Sequence, residues 1–527
     1  MRKFVALFLT VFFSLFSFAF ASDLSLTFLD RYESGMFNTD GGVMEIVDYS
    51  PYSGKAYAVN GQSGLLAIIG YDENGLYGED FDVKAVIEEA DASFSYGDMT
   101  SVSVSSDGSL LAVALQAEGY DENGRIALFS IAKDGSITLR SIYEAGVQPD
   151  MVVFGGYLIL SANEGEPREG YDAADPKGSI TVVDLSSSSV ENLYFDDFDG
   201  KRDELVEKGI VIKKGALPSV DFEPEYIAVS GNLAFVTLQE ANAVATVDLK
   251  NRRIVDISSL GFEDYSKTAI DIDKKDDTYA PETYDGLYGI RMADGIAAFS
   301  IDGRTYIATA NEGDSREWDD YLNEVEADFG DGNLSPSSRS YDVEGKVVFF
   351  DSSDYDGLDS EYDYLFGGRS MTIYSVEDGE LVFASADDAE SITYSILPEY
   401  YNSSNDNATI DDRSGKKGPE PESITVGEVS GRYYAFLALE RTGGVMVYDV
   451  TDPYDAEFVT YVNTRDFTSI VPGSEEYEDG DLDKWVTRGD VAPEGLCFIS
   501  EEESPIDAPV LLVANEVSGT VAAYLVD

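Results

Sequence analysis

The 527-residue sequence has no histidine, one cysteine, and 35 Lys+Arg against 101 Asp+Glu, a formal charge of −66. Each scarcity excludes something. Without imidazole there is no Ser-His-Asp triad, no Cys-His pair and no histidine-ligated zinc or haem. The single thiol, Cys497, excludes an intramolecular disulfide. So little positive charge argues against nucleic acid and anionic lipid surfaces, both polyanions that need clustered Lys/Arg to displace counterions. Beyond the N-terminus no run approaches the roughly 20 apolar residues that span a bilayer. With 43% hydrophobic and 12% aromatic residues, the composition is nevertheless that of a packed protein, not a disordered acidic tail. The favoured partners of such a surface are cations, calcium above all; adaptation to salt would give the same acid excess.

At the N-terminus, Arg2 and Lys3 precede an apolar run that ends in Ala19-Phe20-Ala21, and Ser22-Asp23 open a polar stretch. That order predicts a secretory signal peptide over residues 1–21, leaving 22–527 as the mature chain. The product is expected to be secreted or periplasmic, with cell-surface association as a further option and no membrane span after cleavage.

Strand signals dominate the remainder, as short Val/Ile/Tyr/Phe runs between Gly, Asp, Asn and Ser turns, and segments of helical period are almost absent. One pattern recurs: an acidic residue opens a strand, and a second strand ends in a polar triplet. Its copies begin at Glu45, Asp98, Asp150, Glu225, Asp294, Glu422 and Glu494, and their second strands end near Asn60, Glu118, Glu164, Glu240, Glu312, Glu440 and Glu516. Ser370–Tyr374 and Leu381–Asp388 read as a divergent further unit. The sequence therefore predicts an all-β fold, a single β-propeller of seven or eight blades over residues 22–527. The strand at Leu24–Leu29 is expected to close the ring against Val521–Val526. Long acidic insertions fall at 187–221, 262–292, 314–344, 398–421 and 466–490, where binding chemistry usually sits.

Several words are specific enough to carry a family resemblance. They are Arg31-Tyr32-Glu33-Ser34-Gly35, Ala162-Asn163-Glu164-Gly165-Glu166-Pro167, Glu223-Pro224-Glu225, Ala310-Asn311-Glu312-Gly313-Asp314, Asp411-Asp412-Arg413, Gly418-Pro419-Glu420-Pro421-Glu422, Gly443-Gly444-Val445 and Ala514-Asn515-Glu516. Together they resemble the choice-of-anchor I family of secreted bacterial proteins, also called mesenchyme-specific cell surface glycoprotein-like, over nearly the whole mature chain. The resemblance implies a propeller held at, or released from, the cell surface. Some members carry an alkaline phosphatase label or sit beside phytase-like domains. Asp527 follows no sorting motif or hydrophobic tail, so free secretion or periplasmic residence is expected here.

For chemistry, calcium needs six to eight oxygen ligands. The loop candidates are Asp271, Asp273, Asp276 and Asp277, then Asp479, Asp481 and Asp483, with the twin Asp72-Glu73-Asn74-Gly75 and Asp121-Glu122-Asn123-Gly124 turns beside them. None has complete EF-hand spacing. A second constellation comes from the repeats, because equivalent positions in a propeller converge on one axis: Glu225, Glu422 and Glu494 begin strands, while Glu164, Glu240, Glu312, Glu440 and Glu516 end them. Arg168, Arg316, Arg413 and Arg441 recur beside them, in a chain poor in cations. Either these charges pair off and staple one blade to the next, or they form a pocket where calcium and arginine hold an anionic group.

Two functions follow. One is a calcium-binding ligand-binding or adhesion scaffold, whose partner is a surface component or an anionic small molecule. The other is a calcium-dependent phosphoesterase, alkaline phosphatase or phytase-like, using metal-bound water, carboxylates and arginine. No zinc, haem or nucleotide cofactor is expected.

Overall fold

A computed structural model describes residues 24–319, 321–470 and 487–527; the predicted signal peptide and Asp479, Asp481 and Asp483 lie outside them. The described residues form seven four-stranded antiparallel sheets with a few short strands in the insertions, an all-β, propeller-like arrangement. The first strands of successive sheets touch in order. Val47–Ser50 meets Tyr96–Val104, and contact then passes through Pro149–Gly155, Pro224–Ser230, Ile296–Ile301 and Pro421–Val429 to Pro493–Ile499, which returns to Val47–Ser50.

Middle strands such as Leu158–Asn163 and Ser179–Asp184 are buried along their whole length, whereas the outer strand Ser189–Leu193 is mostly exposed. A sheet packed on both faces needs near-continuous apolar runs in its middle and tolerates polar residues only at its outer edge. Separate apolar clusters accordingly fill the spaces between adjacent sheets. One packs Leu160 and Val182 against Val236 and Ala245; another packs Ala58 and Ile69 of the first sheet against Leu512 and Val521 of the last. Leu26–Glu33 pairs antiparallel with Thr520–Val526, so the last sheet contains strands from both ends of the chain.

Residues 370–384 are not a sheet of their own. Ser370–Ser375 pairs with Arg304–Asn311, and Glu380–Ala384 pairs with Ser370–Ser375, completing the sheet begun by Ile296–Ile301. The interval that suggested a further unit is an insertion within one sheet. Insertions also pack on one another. Leu287–Ile290 pairs in parallel with Asp363–Phe366, and Tyr265, Ile272, Phe329, Tyr341 and Phe349 share a buried core outside the seven sheets. Among the described residues no helix is long and apolar enough to cross a membrane.

Candidate functional site

The first strands of four sheets begin with proline followed by an acid: Pro149-Asp150, Pro224-Glu225, Pro421-Glu422 and Pro493-Glu494. Proline is tolerated as the first residue of a strand. In each case the register slips between that proline and the residue three positions on, so the acid sits in a bulge. A bulge re-aims a side chain out of the alternating pattern. Here Asp150, Glu225, Glu422 and Glu494 all line one central cavity of about 350 Å³, joined by Glu45 and Asp294 from two other sheets.

Glycine permits this convergence. A Cβ on Gly295 would lie 2.6 Å from the Glu422 carbonyl oxygen, and one on Gly495 would lie 2.4 Å from that of Glu45. Each contact is with the backbone of a neighbouring sheet, so the side chain could not be accommodated by a rotamer change.

A second tier comes from the ends of the second strands. In the repeated Ala-Asn-Glu word the asparagine ties its own sheet together: Asn163 Nδ2 donates to the Ser179 carbonyl (2.9 Å) and Thr181 Oγ1 (3.0 Å), and Asn311 Nδ2 to Ser370 Oγ and Thr372 Oγ1 (both 3.1 Å). The glutamate that follows faces the cavity. Glu164, Glu312 and Glu516 do so, as do Glu240 and Glu440 from the sheets that lack the asparagine.

Among the described residues thirteen carboxylates thus line the cavity, counting Glu166 and Asp314, against two cations, Lys417 and Arg441. Both cations are already engaged. Lys417 Nζ lies 2.5 Å from Glu312 Oε1 and 2.9 Å from Glu420 Oε2, and Arg441 Nε lies 3.0 Å from Glu420 and 3.2 Å from Glu440. Other carboxylates are capped by neutral donors: Gln239 Nε2 to Glu312 (2.8 Å), Asn405 Nδ2 to Glu440 (2.9 Å), Tyr226 Oη to Glu494 (3.1 Å) and the Gly42 N–H to Glu516 (3.1 Å). The Oε2 atoms of Glu45, Glu225, Glu240 and Glu422 are buried with no hydrogen-bond partner.

Burial first, and the surrounding carboxylates second, push Glu45, Glu225 and Glu494 well above the ordinary carboxylate range. Glu422 is raised in the same way. Asp150 and Glu240 are pushed to about 7, again chiefly by burial. Oxygens from Asp294, Glu422 and Glu494 lie within 4.8 Å of one another, and so do oxygens from Glu312, Glu422 and Glu440. Glu422 belongs to both groups. Such all-oxygen sets suit a hard divalent cation.

The arginines fall into different roles. Arg168 stands 40% exposed and bonds Glu166 (2.9 Å), Gln116 (3.1 Å) and Glu164 (3.2 Å). Arg413 pairs with Glu420. Arg316, expected in the pocket, is 1% exposed and turned into the protein, where it bonds Asp221 Oδ1, the Asp221 carbonyl and Glu223 Oε2, each at 2.8 Å. Its guanidinium is drawn to two buried carboxylates, so the sequence match between Arg168 and Arg316 does not carry over to their surroundings.

Of the loop aspartates, Asp271 and Asp276 come together with Asp411, their oxygens within 4.8 Å, whereas Asp273 spends its oxygens on the Lys275 and Glu344 N–H groups, and Asp277 is exposed. The Asp72–Gly75 segment is an exposed hairpin turn, with the Asn74 N–H donating to Asp72. Lys417 was not foreseen; the rare Lys416-Lys417 pair just before Gly418-Pro419-Glu420 was the available signal. Glu45, Asp150 and Asp294 were legible as repeat openings but not as wall residues.

Comparison with known proteins adds relatives of limited overlap. The chain is 25% identical over 166 residues to Gigasin-3a of Magallana gigas, covering 31% of this chain and 56% of that protein. It is 27% identical over 236 residues to the mesenchyme-specific cell surface glycoprotein of Strongylocentrotus purpuratus, covering 37% of this chain and 30% of that protein. The match thus spans about half or less of each relative's length. Among solved structures, the Neurospora crassa Pan2 WD40 domain aligns with a TM-score of 0.43 at 8% identity, covering 95% of both chains. The Myceliophteria thermophila Cps50 (Swd1) β-propeller domain aligns at 0.42 and 9%, covering 95% of this chain and 100% of that one. The model of the choice-of-anchor I domain matches residues 45–453, more than half of the sequence, and the chain belongs to that family.

Proposed function

We propose that the protein is an extracellular or cell-surface seven-bladed propeller, closed by its N-terminal strand, that holds calcium in its central cavity and binds an anionic group of a surface component or small molecule there. The observation that carries the cation is the set of buried, unpartnered oxygens on Glu225, Glu240 and Glu422. A buried carboxylate without a partner costs several kcal/mol unless it is protonated or meets a cation. Glu422, common to both carboxylate groups, would bridge two ions. Calcium's six to eight ligand positions would leave some open to an incoming anion at the cavity mouth. The family and the sea-urchin surface glycoprotein support the extracellular setting. Seven sheets and the pairing of Leu26–Glu33 with Thr520–Val526 support the closed ring.

The test is calorimetric titration of chelator-treated full chain with calcium and magnesium. Saturable calcium binding, weakened at least tenfold in Glu422→Gln, is expected; calcium binding that this substitution leaves unchanged would exclude the cavity as the site. The membership of Glu422 in both carboxylate groups, with Lys417 and Arg441 lining the same cavity, also supports a hydrolytic reading. Calcium-dependent cleavage of p-nitrophenyl phosphate, lost in Glu422→Gln, would establish it, and no turnover in calcium-loaded protein would leave the scaffold.

A further inference from the structure

A second cluster lies outside the seven sheets and is independent of the central cavity. We propose that Asp271, Asp276 and Asp411 form a calcium site that fastens the 262–292 insertion to the 398–421 insertion.

The three side chains come from two segments far apart in sequence, yet each offers an oxygen within 4.8 Å of the others. At that spacing ionised carboxylates repel one another. Two neighbouring cations are committed elsewhere. Arg369 gives one guanidinium nitrogen to Glu390 (2.8 Å) and the Asp271 carbonyl (3.0 Å), and the other to the carbonyls of Ser414 and Lys416. Lys274 is committed to Asp412 at 3.2 Å.

The independent sign of a ligand is Asp411 itself. Its side chain is fully buried and accepts from the Ser414 hydroxyl, the Asp277 N–H lies close by, and Oδ2 has no well-formed hydrogen bond. Asp271, also fully buried, is held in place by the N–H groups of Asp273 (3.1 Å) and Ala280 (2.8 Å) and by Tyr401 Oη (3.3 Å). Asp276 is exposed and provides an open side. Oxygen ligands alone, two fixed and one at the surface, fit a hard cation that completes its shell with water, which is calcium's habit.

The consequence reaches the cavity indirectly. The 398–421 insertion carries Lys417 and Glu420, which form part of the cavity's ion-pair network, and Asn405, which caps Glu440. A cation at Asp411 would hold that insertion in position.

Tyrosines supply the readout. Tyr401 touches Asp271, and its ring lies 5.7 Å from Tyr279 and 5.4 Å from Tyr394. Terbium bound in calcium's place beside them should emit when tyrosine is excited. Chelator-stripped full chain would be titrated with terbium and then competed with calcium, alongside Asp411→Asn, Asp276→Asn and Glu422→Gln. The expected result is a calcium-displaceable emission that persists in Glu422→Gln, where binding beside Tyr226 in the central cavity is weakened, and that falls tenfold or more when Asp411→Asn or Asp276→Asn is added to that variant. Calcium should also slow proteolysis within residues 398–421 in the wild type and in Glu422→Gln, but not in the aspartate variants. Asp276 is exposed, so its variant keeps the test valid where Asp411→Asn fails to fold. Emission and protection unchanged when Asp276→Asn is added to folded Glu422→Gln would overturn the proposal.

Discussion

Replacing Glu422 by glutamine removes one charge and almost no volume from the most crowded point of the cavity. Glu422 offers an oxygen within 4.8 Å of oxygens from Asp294 and Glu494 in one group and from Glu312 and Glu440 in another. One ionised pair at that distance costs about 3 kcal/mol at an effective dielectric of 20, and burial leaves little solvent to screen it. In chelator at pH 8, Glu422→Gln should therefore stabilise the protein, by up to about 3 kcal/mol as Glu422 ionises, whereas most substitutions of buried groups destabilise. At about 1–2 °C per kcal/mol for a chain of this length, the melting temperature should rise by up to about 3–6 °C. At pH 5 the same carboxylates hold protons and the difference should shrink towards zero. With saturating calcium the order should reverse, because the wild type retains the bridging ligand. Calorimetric melting of both proteins at pH 5 and 8, with calcium and with chelator, checks all four values. A variant less stable than wild type in chelator at pH 8 would refute the reasoning, since it would mean that Glu422 is held by favourable contacts.

The raised carboxylates also fix a pH dependence. A folded-state value above the unfolded one means that the folded protein holds more protons between the two, so the calcium-free protein loses stability as pH rises from about 4 through about 7, the window set by Asp150 and Glu240. Calcium should displace those protons; its affinity should climb over the same range, and titrations in buffers of different ionisation enthalpy should register proton release. Gly495→Ala should destabilise by about 2 kcal/mol through its backbone clash, whereas Gly200→Ala, at a position with nothing within 4 Å, should not; urea unfolding distinguishes them. Arg316→Ala should cost about 3–5 kcal/mol by stranding Asp221 and Glu223, with calcium affinity unchanged in whatever protein remains folded.

Much of the site was written in the repeats. A propeller-like fold brings equivalent positions of its sheets towards one axis, so most of the recurring acids at strand starts and ends pointed to the cavity, although Asp98 and Glu118 of the second sheet are not among its lining residues. Composition excluded histidine as a ligand, and the structure places Cys497 beside Asp48, not among the cavity's lining residues. What sequence could not decide was which way a charge faces. Arg168 and Arg316 occupy matching words, yet one is partly exposed and the other is enclosed by Asp221 and Glu223, because the end of the 187–221 insertion and the residues just after it deliver those acids to only one of them. Nor could it separate Asp271 from Asp273, two residues apart: their roles diverge because Asp411, 140 positions further on, folds back against the first. Local periodicity and turn chemistry fix strands and their repeats, since those depend on neighbours in the chain. The pairing of charges is decided where insertions from different sheets meet, and that depends on tertiary packing alone.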